Sequence, residues 1–252
     1  MSVKLSFIIP AHNEEERIGR CLDSILRESK SRDDIEIIVV NNASTDDTES
    51  IVRRYREVQL VREERKGIVW ARRAGFLKAK GDLLANVDAD TILTPGWVAI
   101  ALREFNNNPK LVALSGPFIY YDLSNIQQFW VAAFYRLGFA LYILNRFILR
   151  VGSMLQGGNF IVKRTAIEKI GGYDTGIDFY GEDADLARRL HRVGDVKFTF
   201  DLPMYSSGRR LQEEGILRIG LRYAINYVWT IFAKKPYTKT STDIRTKARN
   251  NT

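Results

Sequence analysis

Two aspartates separated by one residue are the sharpest chemical signal in the sequence. Asp88 and Asp90 follow the apolar run Leu83–Val87, which has the composition of a buried strand. Because alternate residues leaving a strand point the same way, the two carboxylates can converge on one cation. Manganese and magnesium prefer oxygen ligands and share them with substrate phosphates. The pair therefore predicts a Mn²⁺ or Mg²⁺ site beside a phosphate-bearing ligand, with a solvated acidic turn as the alternative.

Polar residues also follow two earlier apolar runs. Leu5–Ile9 leads into Pro10-Ala11-His12-Asn13-Glu14, and Ile35–Val40 leads into Asn41-Asn42-Ala43-Ser44. Carboxyl ends of parallel strands meet at one edge of an open α/β sheet, and ligands bind outside that edge. The three strand ends together predict a ligand site there.

Basic residues stand where a loop enters the next helical pattern. Lys66-Gly67 and Arg72-Arg73 are placed to hold a diphosphate, although a helical arginine is also typical of a solvated surface. Ser44 and Asp47 form an S-x-x-D capping box, which predicts the start of a helix and a structural role for both.

A candidate general base precedes the helical pattern that contains Leu186 and Leu190. Gly181-Glu182-Asp183 places two carboxylates in the first turn, where the helix dipole alone favours them. The functional interpretation is a general base at the edge of a glycine-rich loop. Asp185 is predicted to face elsewhere. No nucleophile–histidine–acid arrangement is present in the sequence, so covalent catalysis has no support.

Strand and helix patterns alternate through residues 1–115. This alternation predicts a Rossmann-like α/β fold, a mostly parallel sheet with helices on both faces. Within it, Thr94-Pro95 is predicted to open a helix that ends near Asn106. Residues 116–233 form a second portion of the same domain, and the basic tail 234–252 is predicted to be disordered.

Composition narrows the functional classes. The 252 residues are 45% hydrophobic with a net charge of +8, which suits a phosphate-bearing ligand or an anionic membrane surface. The basic residues are scattered except at Arg209–Arg210 and in the tail, and no nucleic-acid-binding motif is present, so nucleic acid is not an expected partner. Cys21 is the single cysteine, which excludes an intrachain disulfide. Its side chain is predicted to be buried.

In order and spacing, these segments resemble the family 2 glycosyltransferases over most of the chain. The matching motifs are Phe7–Glu14, Val40–Asp46, Lys66-Gly67 with Ala71-Arg72, Asp88-Ala89-Asp90 and Gly181–Leu186. The resemblance implies the A-type glycosyltransferase fold. It also implies a metal-dependent, inverting enzyme of the hexosyltransferase type, whose donor is a nucleoside-diphosphate sugar and whose acceptor offers a hydroxyl.

The resemblance further implies a role for each motif. Residues 1–115 would bind the nucleotide sugar, with Asp88 and Asp90 on the ribose and metal, and residues 116–233 would bind the acceptor. Asp183 would be the base, supported by Glu182. The remaining implied contacts are Pro10, Ala11, Asn13, Glu14 and Asn42 for base and ribose, Lys66, Gly67, Arg72, Arg209 and Arg210 for the diphosphate, and Gly157, Gly158 and Asn159 for the acceptor.

One departure from the family pattern concerns the nucleotide base. Asn41 and Asn42 stand where the family commonly has two aspartates; an amide oxygen still accepts from uracil N3–H, without the carboxylate's charge. A UDP-sugar is the expected donor, with guanosine and deoxythymidine as competing bases. The same fold also allows a non-catalytic sugar-nucleotide-binding protein or a peripheral membrane protein, although Asp88, Asp90 and Asp183 are all retained.

Two apolar stripes raise the question of a membrane. The run 129–151 approaches the length of a span but is interrupted by Arg136, Asn145, Arg146 and Arg150, and no secretory signal is visible, so a cytoplasmic protein is expected. The stripes are Phe129, Trp130, Phe134, Leu137, Leu141, Leu144 and Ile148, and Ile216, Ile219, Tyr223 and Tyr227. Packing on the sheet is one interpretation; docking on the inner membrane face, to reach a lipid-linked or cell-envelope glycan acceptor, is the other.

Overall fold

The computed structural model describes residues 4–30, 32–144, 154–177 and 181–233. Its elements are, in chain order, β1 Leu5–Ala11, α1 Ile18–Glu28, β2 Ile35–Asn41, α2 Thr48–Val52, β3 Val58–Arg62, α3 Ile68–Lys78, β4 Leu83–Val87, β5 Thr91–Leu93, α4 Trp97–Asn107, β6 Leu111–Ser115, β7 Phe118–Tyr120, α5 Asn125–Ile143, β8 Asn159–Lys163, α6 Arg164–Lys169, α7 Glu182–Leu190, β9 Asp195–Phe198, β10 Met204–Ser206, α8 Arg209–Glu214 and α9 Ile216–Ala233.

A seven-stranded sheet forms the centre of the molecule, in the order β3-β2-β1-β4-β8-β6-β9. β8 is antiparallel to both of its neighbours, and the other adjacent pairs are parallel. Phe7 and Ile9 of β1 pack in one cluster with α1 and α4, whereas Ile8 packs in another with α3 and α7. The predicted Rossmann-like arrangement, with helices on both faces of a mostly parallel sheet, is confirmed.

β1, β2 and β4 could be predicted from the sequence because each is covered on both faces of the sheet. Nearly every residue of β1, β2 and β4 is buried, and such strands read as continuous apolar runs. A second sheet, in the order β5-β10-β7, consists of three-residue strands. Runs that short contain too few residues for a periodic pattern, so the sequence did not predict them.

The carboxyl ends of β1, β2 and β4 meet at one edge of the large sheet. Ala11 pairs with Asn41 across β1 and β2, and the ladder continues as Asn42 N–H donates to Ala11 O over 2.8 Å. On the other side of β1, β4 ends at Val87, which lies opposite Asn159 of β8. The residues that follow these strands are therefore neighbours, as predicted.

Two predicted helix starts are wrong because long-range partners replaced the local caps. α2 begins at Thr48, and Ser44 Oγ accepts from Asn13 N–H at 3.1 Å, so the Ser44–Asp47 capping box does not form. α4 begins at Trp97, two residues beyond Pro95, and the Thr94 hydroxyl donates to Pro203 O at 2.7 Å.

The long helix α5 begins with a capping box in which Gln127 Oε1 accepts from Ser124 N–H at 3.0 Å. Among the residues that the structure describes, no helix has the length and apolarity needed to cross a bilayer. Ile148 of the first stripe, the side chains of Tyr223 and Tyr227 in the second, and the tail 234–252 lie outside the described residues.

Candidate active site

A cavity of about 630 Å³ opens at the edge where β1, β2 and β4 end. It collects side chains and backbone from both halves of the chain. The predicted site residues that line it are Pro10, Ala11, Glu14, Asn42, Lys66, Gly67, Arg72, Asp88, Asp90, Gly157, Glu182, Asp183, Arg209 and Arg210.

Three predicted site residues lie outside this lining. Asn13 has a positive φ of 53°, and its Oδ1 accepts from Thr45 N–H at 2.8 Å, which ties two loops together. Gly158 lies against the Asp88 carboxylate. Asn159 is fully buried, and its amide donates to the carbonyls of Pro117 and Leu202. The structure therefore places Asn159 in the wall behind the cavity, where it holds the small sheet against the large one.

The Asn42 amide fastens the loop that carries Lys66 and Gly67. Its Oδ1 accepts from Gly67 N–H at 2.8 Å, and its Nδ2 donates to the carbonyls of Glu63 and Arg65 at 2.9 and 2.7 Å. An aspartate at this position would lack both amide donors. The departure from the aspartate pair therefore has a structural consequence: the amide sets the position of the loop at the cavity rim.

Arg72 forms the buried floor of the cavity. α3 directs its side chain inward, where only 1% remains exposed, and its Nη1 donates to Glu182 Oε1 at 2.7 Å. Its Nη2 lies 3.6 Å from Asp88 Oδ1, and its guanidinium lies 5.3 Å from the ring centre of Phe160. The interpretation of Arg72 as a solvated charge is wrong; buried, it is paired with carboxylates, as a desolvated charge must be.

Asp183 lies at the start of α7, next to the glycine loop. Its Oδ1 accepts from Ala184 N–H at 2.8 Å, and its Oδ2 accepts from Gly157 N–H at 3.3 Å. Burial raises the pKa of Asp183, and these N–H groups and the Arg72 charge oppose the rise. A carboxylate with a raised pKa is a better proton acceptor for a hydroxyl than an exposed one.

Glu182 shares this environment. Burial raises the pKa of Glu182, the Asp183 charge adds to the rise, and Arg72 opposes it. Asp185, by contrast, points away from the cavity and forms ion pairs with Arg188 and Arg189 at 2.5 and 2.6 Å. It therefore faces elsewhere, as predicted.

The other end of the cavity is closed by Arg209, the first residue of α8. Its Nη2 lies 3.0 Å from Asp90 Oδ2 and also donates to the buried Glu14 carboxylate. Arg210 forms an ion pair with Glu214 at 3.1 Å. One arginine of the second portion of the chain, residues 116–233, thus contacts residues that follow β1 and β4.

Asp88 and Asp90 suit a divalent cation that is shared with a ligand. Both carboxylates reach the cavity, and one or two carboxylates completed by phosphates are the usual set for Mg²⁺ or Mn²⁺. In the part of the chain that the structure describes, no group of three or more His, Cys, Asp or Glu could hold a metal. Asp88 and Asp90 alone would leave the other coordination positions of such a cation to substrate phosphates and water. Gly158 leaves room for the Asp88 carboxylate, because a Cβ at residue 158 would overlap it.

The apolar part of the cavity was not predicted from the sequence. The wall beyond Gly157 comes from α5, α9 and the segment before β8, and includes Phe134, Gly138, Leu155 and Ile219. The periodicity of α5 indicated an apolar stripe, either packed on the sheet or docked on a membrane, and did not show which of its members face a cavity. A glycine in the middle of that stripe was the one available signal, because an interior helical glycine requires a packing reason.

The family Glycosyl transferase family 2 matches residues 6–171. Probable glycosyltransferase YdaM from Bacillus subtilis (strain 168) is 29% identical over 208 residues, which are 76% of this chain and 47% of that protein. The chain therefore spans about half the length of this relative.

Solved structures share the architecture. A mannosyltransferase, PcManGT from Pyrobaculum calidifontis in complex with GDP-Man and Mn²⁺, superposes with a TM-score of 0.69 at 23% identity, over 93% of this chain and 64% of that one. S. aureus TarS 1-349 in complex with UDP superposes with a TM-score of 0.66 at 15% identity, over 94% and 68%. At these identities the likeness establishes the fold.

Proposed function

The chain belongs to Glycosyl transferase family 2, and from this premise we propose that it moves a sugar from a nucleoside-diphosphate sugar to an acceptor hydroxyl with inversion. One observation carries the proposal. The Asp183 carboxylate accepts from Gly157 N–H, and the next residue, Gly158, lies against Asp88. The candidate base and one candidate metal carboxylate therefore border the same cavity, and each contacts one of two adjacent glycines, Gly157 and Gly158.

The nucleotide half of the proposal assigns residues 1–115 to the donor. Pro10 and Ala11 end β1, Glu14 follows it, and all three line the cavity. The Asn42 amide holds the loop of Lys66 beside them. The bound GDP-Man and UDP of the two structural neighbours support a nucleotide sugar. We assign a UDP-sugar, with GDP- and dTDP-sugars as the competitors that the experiment below separates.

The proposed metal site consists of Asp88 and Asp90, which would hold Mn²⁺ or Mg²⁺. When bound, the cation supplies charge neutralisation for the diphosphate leaving group. Arg209 and Arg210 line the same cavity and supply further positive charge to the diphosphate. Arg72 is more deeply buried than Arg209 and is engaged by Glu182 and Asp88, so we assign it to positioning these carboxylates under the donor.

In the proposed reaction, Asp183 accepts the proton of the acceptor hydroxyl. The hydroxyl oxygen bonds to the anomeric carbon from the face opposite the diphosphate, and the bond from that carbon to the diphosphate oxygen breaks. Glu182, fixed by Arg72, supports the base by holding the Arg72 guanidinium beside it, where the charge opposes the rise that burial causes in the pKa of Asp183. Residues 116–233 would bind the acceptor, with the backbone of Gly157 at its entrance.

The acceptor is proposed to lie at a membrane surface, as a glycan of the cell envelope or one linked to lipid. Phe129, Trp130 and Trp229 are exposed on α5 and α9, and exposed arginines at 136 and 218 lie on the same helices. Apolar side chains flanked by basic ones suit an anionic bilayer interface. The proposal is peripheral contact.

A thermal-shift screen with Mn²⁺ and UDP-, GDP- and dTDP-sugars tests the donor. A donor at 100 times its Kd adds about 2.7 kcal/mol of stability, and we expect one base class to do so. Incubating that donor with acceptors, and reading the anomeric configuration of the product by NMR, then tests inversion. No stabilisation by any nucleotide sugar, with or without metal, would refute the transferase proposal; retained configuration would refute the assigned mechanism.

A further inference from the structure

The cavity has an apolar half that the proposed reaction does not use. Phe134, Gly138 and Leu141 of α5 face Ile219 of α9, and Leu155 closes the wall toward β8. This space is continuous with the part that contains Asp183. A nucleotide and a sugar are polar, and enclosing polar groups against apolar walls costs free energy unless hydrogen bonds replace water.

The apolar wall begins close to the proposed base. Leu155 is two residues before Gly157, whose N–H donates to Asp183 Oδ2 at 3.3 Å. Since the chain advances at most about 3.6 Å per residue, the apolar wall begins within about 7 Å of this glycine. A ligand that reaches both places has a polar part no longer than about one sugar ring between its hydroxyl and its apolar part.

Two glycines shape the space between α5 and α9. A Cβ at Gly220 would lie 3.1 Å from the Phe134 ring, so the helices meet closely there. A Cβ at Gly138 would have one neighbour within 4 Å, Met154 Sδ at 4.0 Å. The channel is therefore closed at Gly220 and open at Gly138.

We propose that this channel binds the hydrocarbon chain of a lipid acceptor whose hydroxyl lies within about one sugar ring of that chain. The inference rests on the proposed function and names its acceptor class. The outer sides of the same helices expose Phe129 and Trp130. A chain can thus pass from a bilayer that contacts these side chains into the channel, which favours a membrane lipid over a water-soluble glycan.

Photolabelling tests the channel with a diazirine derivative of hexadecanol, using the full chain and mass spectrometry of the labelled peptides. We expect saturable labelling of residues on the cavity side of α5 and α9. Gly138→Leu fills the open space and removes contacts with about two methylenes, so labelling of these residues falls by about tenfold. Ala132→Leu adds the same side chain at an exposed position of α5 outside the cavity lining and leaves the labelling unchanged.

The nucleotide-sugar thermal shift of each variant separates the two proposals. If Gly138→Leu keeps the donor shift and loses the channel label, both stand. If no donor shift occurs in any protein while the label depends on Gly138, the transferase proposal fails, and with it the acceptor role, while the channel stands as a lipid-binding site. Equal labelling of Gly138→Leu and Ala132→Leu, or labelling confined to Phe129 and Trp130, overturns the channel whatever the donor shift. Leucine favours a helix over glycine and nearly as well as alanine, so we expect both variants to fold.

Discussion

The Arg72 guanidinium donates to Glu182 Oε1 at 2.7 Å at the floor of the cavity. Its other terminal nitrogen lies 3.6 Å from Asp88 Oδ1. One buried cation therefore contacts a carboxylate on the proposed acceptor side and another on the proposed metal side. Because Glu182 is followed directly by Asp183, the Arg72 charge acts on the proposed base as well.

Arg72→Met is expected to move the acid limb of the pH profile of kcat/KM to higher pH. Arg72 lowers the pKa of Asp183 and Glu182 against the effect of burial. Without it, the base is protonated up to a higher pH, so the loss of rate is largest at low pH and partly recovers as pH rises. Breaking this buried pair also costs roughly 3–5 kcal/mol of stability, which thermal unfolding measures.

Arg72→Lys is the matched control, since it keeps the charge without the guanidinium fork. Its acid limb should lie between those of the wild type and Arg72→Met. A rate that falls by the same factor at every pH in both variants would show that Arg72 affects packing alone.

Asp183→Asn is expected to lower turnover by about 10² to 10⁴-fold, the usual effect of losing a general base. The amide retains the size of the side chain and accepts the same backbone N–H bonds, so the donor thermal shift should persist. Steady-state kinetics on the identified acceptor make the measurement. Asp174→Asn, at an exposed position outside the cavity lining, is the control; near-normal turnover of Asp183→Asn would move the role to Glu182.

Gly158→Ala should inactivate the protein, whereas Gly171→Ala should not. Both glycines have nearly the same positive φ, 78° and 79°, so the backbone strain, about 0.5–1 kcal/mol or more, is common to both. A Cβ at Gly158 overlaps the Asp88 carboxylate, whereas a Cβ at Gly171 meets nothing within 4 Å. Comparing melting temperature with metal-dependent turnover separates strain from displacement of Asp88. Equal activities in the two variants would be evidence against a role for the Asp88 position.

Metal dependence is expected to follow Asp90. Asp90→Ala should nearly abolish turnover, because one of two proposed oxygen ligands is lost. Excess chelator should do the same to the wild type, and added Mn²⁺ or Mg²⁺ should restore it. Asp90 also pairs with Arg209 at 3.0 Å, so Arg209→Gln shows how much of the effect is due to that ion pair. Full turnover in excess chelator would exclude the metal.

The sequence patterns predicted the buried strands β1, β2 and β4 and, to within two residues, the positions where they end. The apolar runs of β1, β2 and β4 placed Glu14, Asn42, Asp88 and Asp90 at one edge, and the structure brings all four to one cavity. Here the local pattern suffices because a strand covered on both faces is continuously apolar.

Features that depend on contacts between residues far apart in the sequence could not be predicted from local patterns. Arg72 is 110 residues from Glu182 in sequence, and a helical arginine has the same local pattern whether it is buried or solvated. The Asn42 amide was interpreted as a contact for the base, yet its observed partners are backbone groups of residues 63–67. Three-residue strands, and the caps replaced by Asn13 and Pro203, depend likewise on partners distant in sequence.

Membrane docking is expected to depend on the outer face of α5. Phe129 is 65% exposed and Trp130 55% exposed, so both can enter a bilayer interface without disturbing the core. A double substitution, Phe129→Ser with Trp130→Ser, should weaken binding to vesicles more than tenfold, since each buried aromatic contributes about 1.5–3 kcal/mol. Leu77→Ser is the matched control, because Leu77 is equally exposed, at 66%, but lies on α3.

Co-sedimentation with vesicles at low and high salt makes the measurement and separates the apolar contribution from the charge. The exposed arginines at 136 and 218 lie on the docking helices, so binding should require anionic lipid and weaken as salt shortens the range of the electrostatic attraction. The aromatic side chains enter the bilayer interface only after that attraction has brought the helices to the surface. The double substitution should therefore reduce binding at every salt concentration and leave the salt dependence of binding unchanged. Equal recovery of the wild type in the supernatant with and without anionic vesicles at low salt would refute the docking and leave the apolar faces of α5 and α9 to a protein contact.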